Sequence, residues 1–393
     1  MRENPCILII YATFGDGHVQ AAESIRQSFA ALGIGRVHLV DLFAEAHPNL
    51  NAISRKTYLL SSAYFPRLYG FSYDFTNRLR PDPMYSRLFH SVGRRKLREI
   101  VDRLKPDAVI HTFPYLAMAE LSERLALGIP TFTVLTDYVL HSRWVHPDTD
   151  RYYVATEGLK RSLAASGIAD DRIAVSGIPI RGVFSQRLDR DSACSELGLD
   201  PARKYALVSA GAYGVQGHLN KMVRTLLEHS DCDVLLVCGK NRNLLRKMET
   251  AFAGEPRVHA MGFVERMEAW MAIAWCLITK AGAMTLTEAI SQSLPVIVYR
   301  PLPGQERGNA QVLSDLGAVL TARHSEELRE CLRTLHSQTA RTKLTDAMSG
   351  LHVPGSSDRI ASDILRKLSA VKHPHADWGR RTASQAVSLS RTN

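Results

Sequence analysis

Short apolar runs alternate with stretches whose apolar residues recur every three or four positions, from residue 6 to about residue 370. That alternation predicts strands and helices in turn, and so a parallel α/β architecture. The first half offers strands at CILIIYAT (Cys6 to Thr13), VHLVDL (Val37 to Leu42), DAVIHTF (Asp107 to Phe113), TFTVLTD (Thr131 to Asp137), RYYVAT (Arg151 to Thr156) and IAVSGI (Ile173 to Ile178). The second half begins again with YALVSAG (Tyr205 to Gly211), DVLLVCG (Asp233 to Gly239), RVHAMGF (Arg257 to Phe263), WCLITKAG (Trp275 to Gly282), PVIVYRP (Pro295 to Pro301) and AVLTA (Ala318 to Ala322). Two such sets predict two Rossmann-like domains facing across a cleft, residues 1–180 and 181–370, with a polar linker between Pro179 and Pro201. At 393 residues the chain is too long for a single core.

Two regions break the alternation. Residues after about Val371 are rich in Arg, Ser and His, which predicts a disordered tail over 371–393. The other is an insertion at about 50–105. Residues 52–75 crowd aromatic and aliphatic side chains together, Tyr64, Phe65 and Tyr69 among them. From Arg78 to Lys105 nine basic residues stand against three acidic ones, net +6 of the chain's +10. An apolar surface followed by a basic helix bearing Arg94, Arg95, Lys96 and Arg98 suits an anionic membrane surface that the chain lies on without crossing. The alternative is an ordinary helical lid with a solvated basic face. No run approaches the length of a transmembrane helix, and no signal peptide is expected. Neither a groove-reading nor a base-stacking module is visible, so nucleic acid is not an expected partner.

Candidate chemistry sits at the strand-to-helix turns. Gly15-Asp16-Gly17-His18 follows the first strand, and His18 opens a helix striped by Val19, Ala22, Ile25 and Phe29. Open α/β sheets bind ligands at that place. An imidazole there can act as a general base, and the helix N-terminus disfavours its charged form; the plainer role is to fill the turn. Ser209 to His218 carries Gly211, Gly214 and Gly217 before a helix, a shape suited to a diphosphate. In Ile278 to Ile290, Glu288 can accept the hydroxyls of a ribose, or can close a capping box with Thr285. Arg300 to Ala310 presents Gln305, Glu306 and Asn309, side chains suited to sugar hydroxyls or to an ordinary polar loop. The strings Asp148-Thr149-Asp150 and Asp231-Cys232-Asp233 lie away from these turns, and His141, Trp144 and His146 lack a completing ligand, so no metal site is expected. The six cysteines show no CxxC spacing and read as small buried apolar residues in a reducing cytosol.

Together GDGHxxAA, TDYxxHxxW (Thr136 to Trp144), GIPIR (Gly177 to Arg181), VCGKN (Val237 to Asn241), GFVERM (Gly262 to Met267), TKAGAMTLTEA and RPLPGQERGNA resemble the bacterial processive diacylglycerol β-glucosyltransferases. These are relatives of plant monogalactosyldiacylglycerol synthases in glycosyltransferase family 28. The resemblance implies a GT-B fold and an inverting reaction with no metal and no cofactor beyond the donor, UDP-glucose. It implies His18 as the base for an acceptor hydroxyl of diacylglycerol or glucosyldiacylglycerol, on the cytoplasmic face of the membrane. It places Arg181 near the diphosphate, with Gly211, Ala212, Tyr213 and Gly282 on the phosphate side and Thr285 also among the donor-binding residues. Phe263 and Val264 fall on the uracil side, Glu288 on the ribose, and Gln305 and Glu306 on the sugar. Asp16 or Asp137 is the expected partner of the imidazole. Relatives read KPGG where this chain has Lys280-Ala281-Gly282-Ala283; a positive φ at Ala283 would strain the loop by about 1 kcal/mol or more. The readings held beside this one are a UDP-galactose-dependent or polyprenyl-acceptor enzyme of the same fold, a UDP-sugar epimerase, and a nucleotide-sugar sensor.

Overall fold

The computed structural model describes residues 4–13, 15–49, 66–78, 93–125, 128–214 and 218–370. Tyr64, Phe65, Gly217 and the expected disordered tail lie outside the described residues.

All twelve expected strands form. The first sheet holds β1 (Ile7–Tyr11), β2 (Val37–Asp41), β3 (Ala108–His111), β4 (Thr131–Val134), β5 (Arg151–Val154) and β6 (Ile173–Val175), in the order β2-β1-β3-β4-β5-β6. The second holds β7 (Tyr205–Ser209), β8 (Asp233–Val237), β9 (Val258–Met261), β10 (Ala274–Thr279), β11 (Val296–Tyr299) and β12 (Leu320–Ala322), in the order β12-β11-β10-β7-β8-β9. Every pairing is parallel. Parallel sheets are covered on both faces, which is why the central strands are apolar at successive positions: Ile7 to Ile10 and Tyr205 to Val208 are all buried.

Strand order reverses between β1 and β3 in the first sheet and between β7 and β10 in the second. At these points neighbouring crossovers leave in opposite directions and open a crevice at the carboxyl ends of the strands. The helix Asp16–Ala31 leaves one crevice, and the helix Ala283–Ser291 leaves the other. The two starts face each other so closely that a Cβ on Gly17 would lie 3.0 Å from Cγ of Met284.

Two expectations change. The segment between Pro179 and Pro201 contains a helix, Arg190–Leu197, which buries Ala193 and Cys194. The second domain also does not keep the chain to residue 370. The helix Ser356–Ala370 returns to the first sheet, where Ile360, Ala361 and Ile364 share a core with Ile7, Ile25 and Phe29. There Tyr153 donates a hydrogen bond to Asp363 at 2.9 Å, and Arg151 pairs with the same carboxylate at 2.5 Å. An amphipathic stripe says that a helix packs, not which sheet it packs on.

Candidate active site between the domains

A cleft of about 760 Å³ lies between the two crevices. His18 lines it from the first domain, in the opening turn of the helix Asp16–Ala31. Its Nδ1 is 2.8 Å from the carbonyl oxygen of Thr112 and 2.9 Å from Oγ1 of Thr136. The edge of its ring meets Phe113, with centroids 4.9 Å apart. Burial lowers its pKa to about 4, against a smaller opposing pull from the Thr112 carbonyl, so the imidazole is neutral at physiological pH.

The expected carboxylate partner of His18 is not there. Asp16 points across the cleft, accepting from the Tyr213 hydroxyl at 2.9 Å and lying 3.9 Å from Nζ of Lys240. Asp137 lines the cleft but accepts from Nε2 of Gln305 at 2.5 Å and from Nδ2 of Asn309 at 3.1 Å. Burial raises the Asp137 pKa to about 6, against the two amide hydrogen bonds and with Glu306 adding to the rise.

The opposite wall is built from the strand ends of the second sheet. Gly211 adopts φ +76 two residues after β7, and Gly239 adopts φ +63 after β8 with its Cα so close that a Cβ would lie 2.4 Å from the Gly211 oxygen. Only glycine fits that approach. Ala212 and Tyr213 continue this wall. Gly282 caps the helix Ala283–Ser291 at φ −69, with no side chain on its free N–H groups, and Gly282, Ala283 and Thr285 all face the cleft. The helix therefore starts two residues before Thr285, which rules out the capping box. Ala283 is helical and has no positive φ, so the methyl that replaces the relatives' glycine causes no strain.

Glu288 lies one turn further along this helix, buried and facing the cleft. Arg181 stands between two carboxylates, with Nε 3.8 Å from Glu288 and Nη2 3.6 Å from Glu268. Burial raises the Glu288 pKa to about 7; Arg181 opposes that rise and Glu268 adds to it. Phe263, half exposed, and Val264 form the rim, with the Lys240 ammonium 4.9 Å from the Phe263 ring centroid.

Gln305 and Glu306 face the cleft at the start of the helix Gln305–Asp315, and Glu306 is paired with Lys280. Asn309 does not face it. Fully buried, it accepts from the Tyr138 N–H at 2.9 Å and donates to Asp137 and to the Ala281 carbonyl. Its polar atoms tie the loop after β4 to the second domain, so the sugar-binding expectation for Asn309 is corrected to an interdomain strut.

The described part of the insertion divides in two. The helix Pro66–Arg78, which contains Tyr69, roofs the cleft. Gly70 abuts Pro303, and Tyr73 sits against Gly304 and packs its ring on His141 at 4.7 Å. Phe71 and Phe75, stacked at 6.3 Å, are exposed. The helix Arg94–Leu104 buries Leu97, Ile100 and Val101 and turns its basic residues outward, lining with Arg94, Arg95, Lys96 and Arg98 an open cavity of about 850 Å³. Among the described residues three of them have acidic neighbours: Arg95 with Glu99 at 3.5 Å, Lys96 with Glu45 at 3.9 Å and Arg98 with Asp102 at 2.8 Å. No described helix is long and apolar enough to cross a membrane.

Sequence reading missed Thr136, Tyr73 and Lys280. The signal for Thr136 was positional: it lies just past the end of β4, on the ligand-bearing edge of the sheet.

A family model described as monogalactosyldiacylglycerol synthase matches residues 18–180, and one for the glycosyltransferase family 28 C-terminal domain matches residues 209–351. The chain belongs to this glycosyltransferase family. It is 34% identical over 369 residues to a protein of Bacillus licheniformis named processive diacylglycerol beta-glucosyltransferase, covering 93% of this chain and 96% of that one. Among solved structures it superposes on Acinetobacter baumannii MurG with a TM-score of 0.59 at 16% identity, over 92% of this chain and 99% of that one. It also superposes on UDP-GlcNAc 2-epimerase from Neisseria meningitidis with a TM-score of 0.59 at 14% identity, over 92% and 99%. Those two likenesses fix the GT-B fold and nothing finer. The family makes the protein a UDP-sugar hexosyltransferase.

Proposed function

We propose that the protein transfers glucose from UDP-glucose to the 3-hydroxyl of 1,2-diacylglycerol, and then to the glucolipid formed, at the cytoplasmic face of the membrane and without a metal. The observation that carries this reading is a neutral His18 facing, across one cleft, an uncapped helix N-terminus and a glycine-lined wall. The name of the Bacillus licheniformis relative supports the choice of sugar and lipid.

In this reading Phe263 and Val264 take the uracil, Glu288 the ribose and Gln305 with Glu306 the sugar. Each Glu306 oxygen, though engaged by Lys280 or the Leu302 N–H, keeps a lone pair for a sugar hydroxyl. The acceptor oxygen bonds to the anomeric carbon from the face opposite UDP, and its proton passes to Nε2 of His18. The bond from that carbon to the diphosphate breaks, and the electron pair leaves with UDP. Arg181 and the N–H groups of the helix Ala283–Ser291 hold the growing charge in a preorganised field. An alcohol is too weak an acid to give its proton to a neutral imidazole before it attacks, so proton transfer and bond formation run together. The exposed Phe71 and Phe75 and the basic helix are the parts that meet lipid.

The test is purified protein with diacylglycerol liposomes and a panel of UDP-sugars, read by lipid mass. Glucosyldiacylglycerols from UDP-glucose are expected. A galactolipid alone would move the donor assignment, and no glycolipid with any UDP-sugar would sink the proposal.

A further inference from the structure

We propose that Thr136 is the positioning residue of the base. Its hydroxyl oxygen joins the Thr112 carbonyl in holding the Nδ1–H of His18, and so fixes the angle at which the ring presents a bare Nε2 to the cleft. This rests on the reading of His18 as the base.

The carbonyl decides the tautomer. Nδ1 is 2.8 Å from the Thr112 oxygen, which can only accept. That distance is attractive if Nδ1 carries the hydrogen and repulsive if two lone pairs face each other. With Nδ1 protonated, the neutral ring has its lone pair on Nε2. Oγ1 of Thr136, at 2.9 Å, then accepts a share of the same N–H.

The clamp is built into the fold. Thr112 directly follows β3 and Thr136 lies just beyond β4, and these strands are neighbours beside the β1/β3 reversal. The Thr112 hydroxyl donates to the backbone oxygen of His18 at 3.1 Å, so one residue holds both ring and main chain. Thr136 is buried, which fixes its oxygen against water competition. The carboxylates expected to do this work are engaged elsewhere, Asp16 by Tyr213 and Asp137 by Gln305 and Asn309. A neutral clamp orients the ring without a negative charge that would hold the proton on it. The base can therefore return to its neutral form before the next acceptor enters.

The test pairs T136V, close in shape but without the oxygen, with T136S, which keeps it. In protein labelled with ¹⁵N-histidine, wild-type His18 should show a protonated Nδ1 and a bare Nε2 near neutral pH. T136V should keep the hydrogen on Nδ1, which the Thr112 carbonyl enforces, but move the Nδ1 resonance as its second acceptor is lost, and T136S should keep the wild-type pattern. With UDP-glucose and diacylglycerol vesicles, T136V should lose about tenfold or more in kcat at nearly unchanged donor KM, and T136S should restore most of it. A wild-type spectrum with the hydrogen on Nε2 overturns the proposal without any variant. So does equal loss in both variants, which would mean packing alone, or full kcat in T136V. An H18A variant with full turnover would instead sink the base reading, while the spectra still report on the clamp.

Discussion

Glu288→Gln separates the demands of folding from those of donor binding. Burial holds the Glu288 carboxyl at about 7 against an ordinary 4.5, with Arg181 opposing and Glu268 reinforcing the rise. The folded protein thus binds this proton more tightly than the unfolded chain. The resulting destabilisation is absent below pH 4.5, grows as pH rises from 4.5 to about 7, and is complete above it. That interval corresponds to about 3 kcal/mol at most. Glutamine keeps the shape and removes the charge but gives Arg181 a poorer partner, so a net gain of about 1–2 kcal/mol is expected at pH 8 and little at pH 4.5. Urea unfolding of both proteins at the two pH values measures this directly. The same variant should bind UDP more weakly, because a carboxylate accepts from both ribose hydroxyls and an amide oxygen does so less well. In the wild type, donor affinity should fall as pH drops below about 7, and in the variant it should lose that dependence. A variant destabilised at pH 8 as much as at pH 4.5, or one with unchanged UDP affinity, would refute this account of Glu288.

Three other outcomes follow from the geometry. Gly239→Ala should cost about 2 kcal/mol or more in urea unfolding, because a Cβ at φ +63 would lie 2.4 Å from the Gly211 oxygen. Asn309→Ala should cost about 2 kcal/mol by leaving the Tyr138 N–H and Asp137 short of partners, with little change in discrimination between UDP-glucose and UDP-galactose; a change confined to sugar choice would restore Asn309 as a sugar ligand. Replacing Phe71 and Phe75 together with serine should weaken sedimentation with lipid vesicles and leave the melting temperature nearly unchanged, since both rings are exposed.

The frame was legible because parallel strands buried on both faces leave long apolar runs, and all twelve appear where those runs lie. That His18 and Gly211 face the cleft was legible because each sits at a strand-to-helix turn, and Glu288 because it lies in the helix that follows such a turn. What stayed hidden depends on distant partners. Thr112 and Thr136 lie 94 and 118 residues from His18, and no local pattern ties them to it. Asp137 was expected beside the imidazole and Asn309 on the sugar, yet 172 residues apart they satisfy each other. The docking of Ile360 and Ile364 on the first sheet was hidden for a similar reason, since an apolar stripe does not name its partner.

The central claim is that Nε2 of His18 removes the acceptor proton over a donor held by the opposite domain. The most direct measurement compares glucolipid formation and UDP affinity in wild type and His18→Ala on the same diacylglycerol vesicles. Loss of turnover by about a hundredfold or more, with UDP affinity within about twofold of wild type, is the expected result. Turnover within a few fold of wild type would contradict the account.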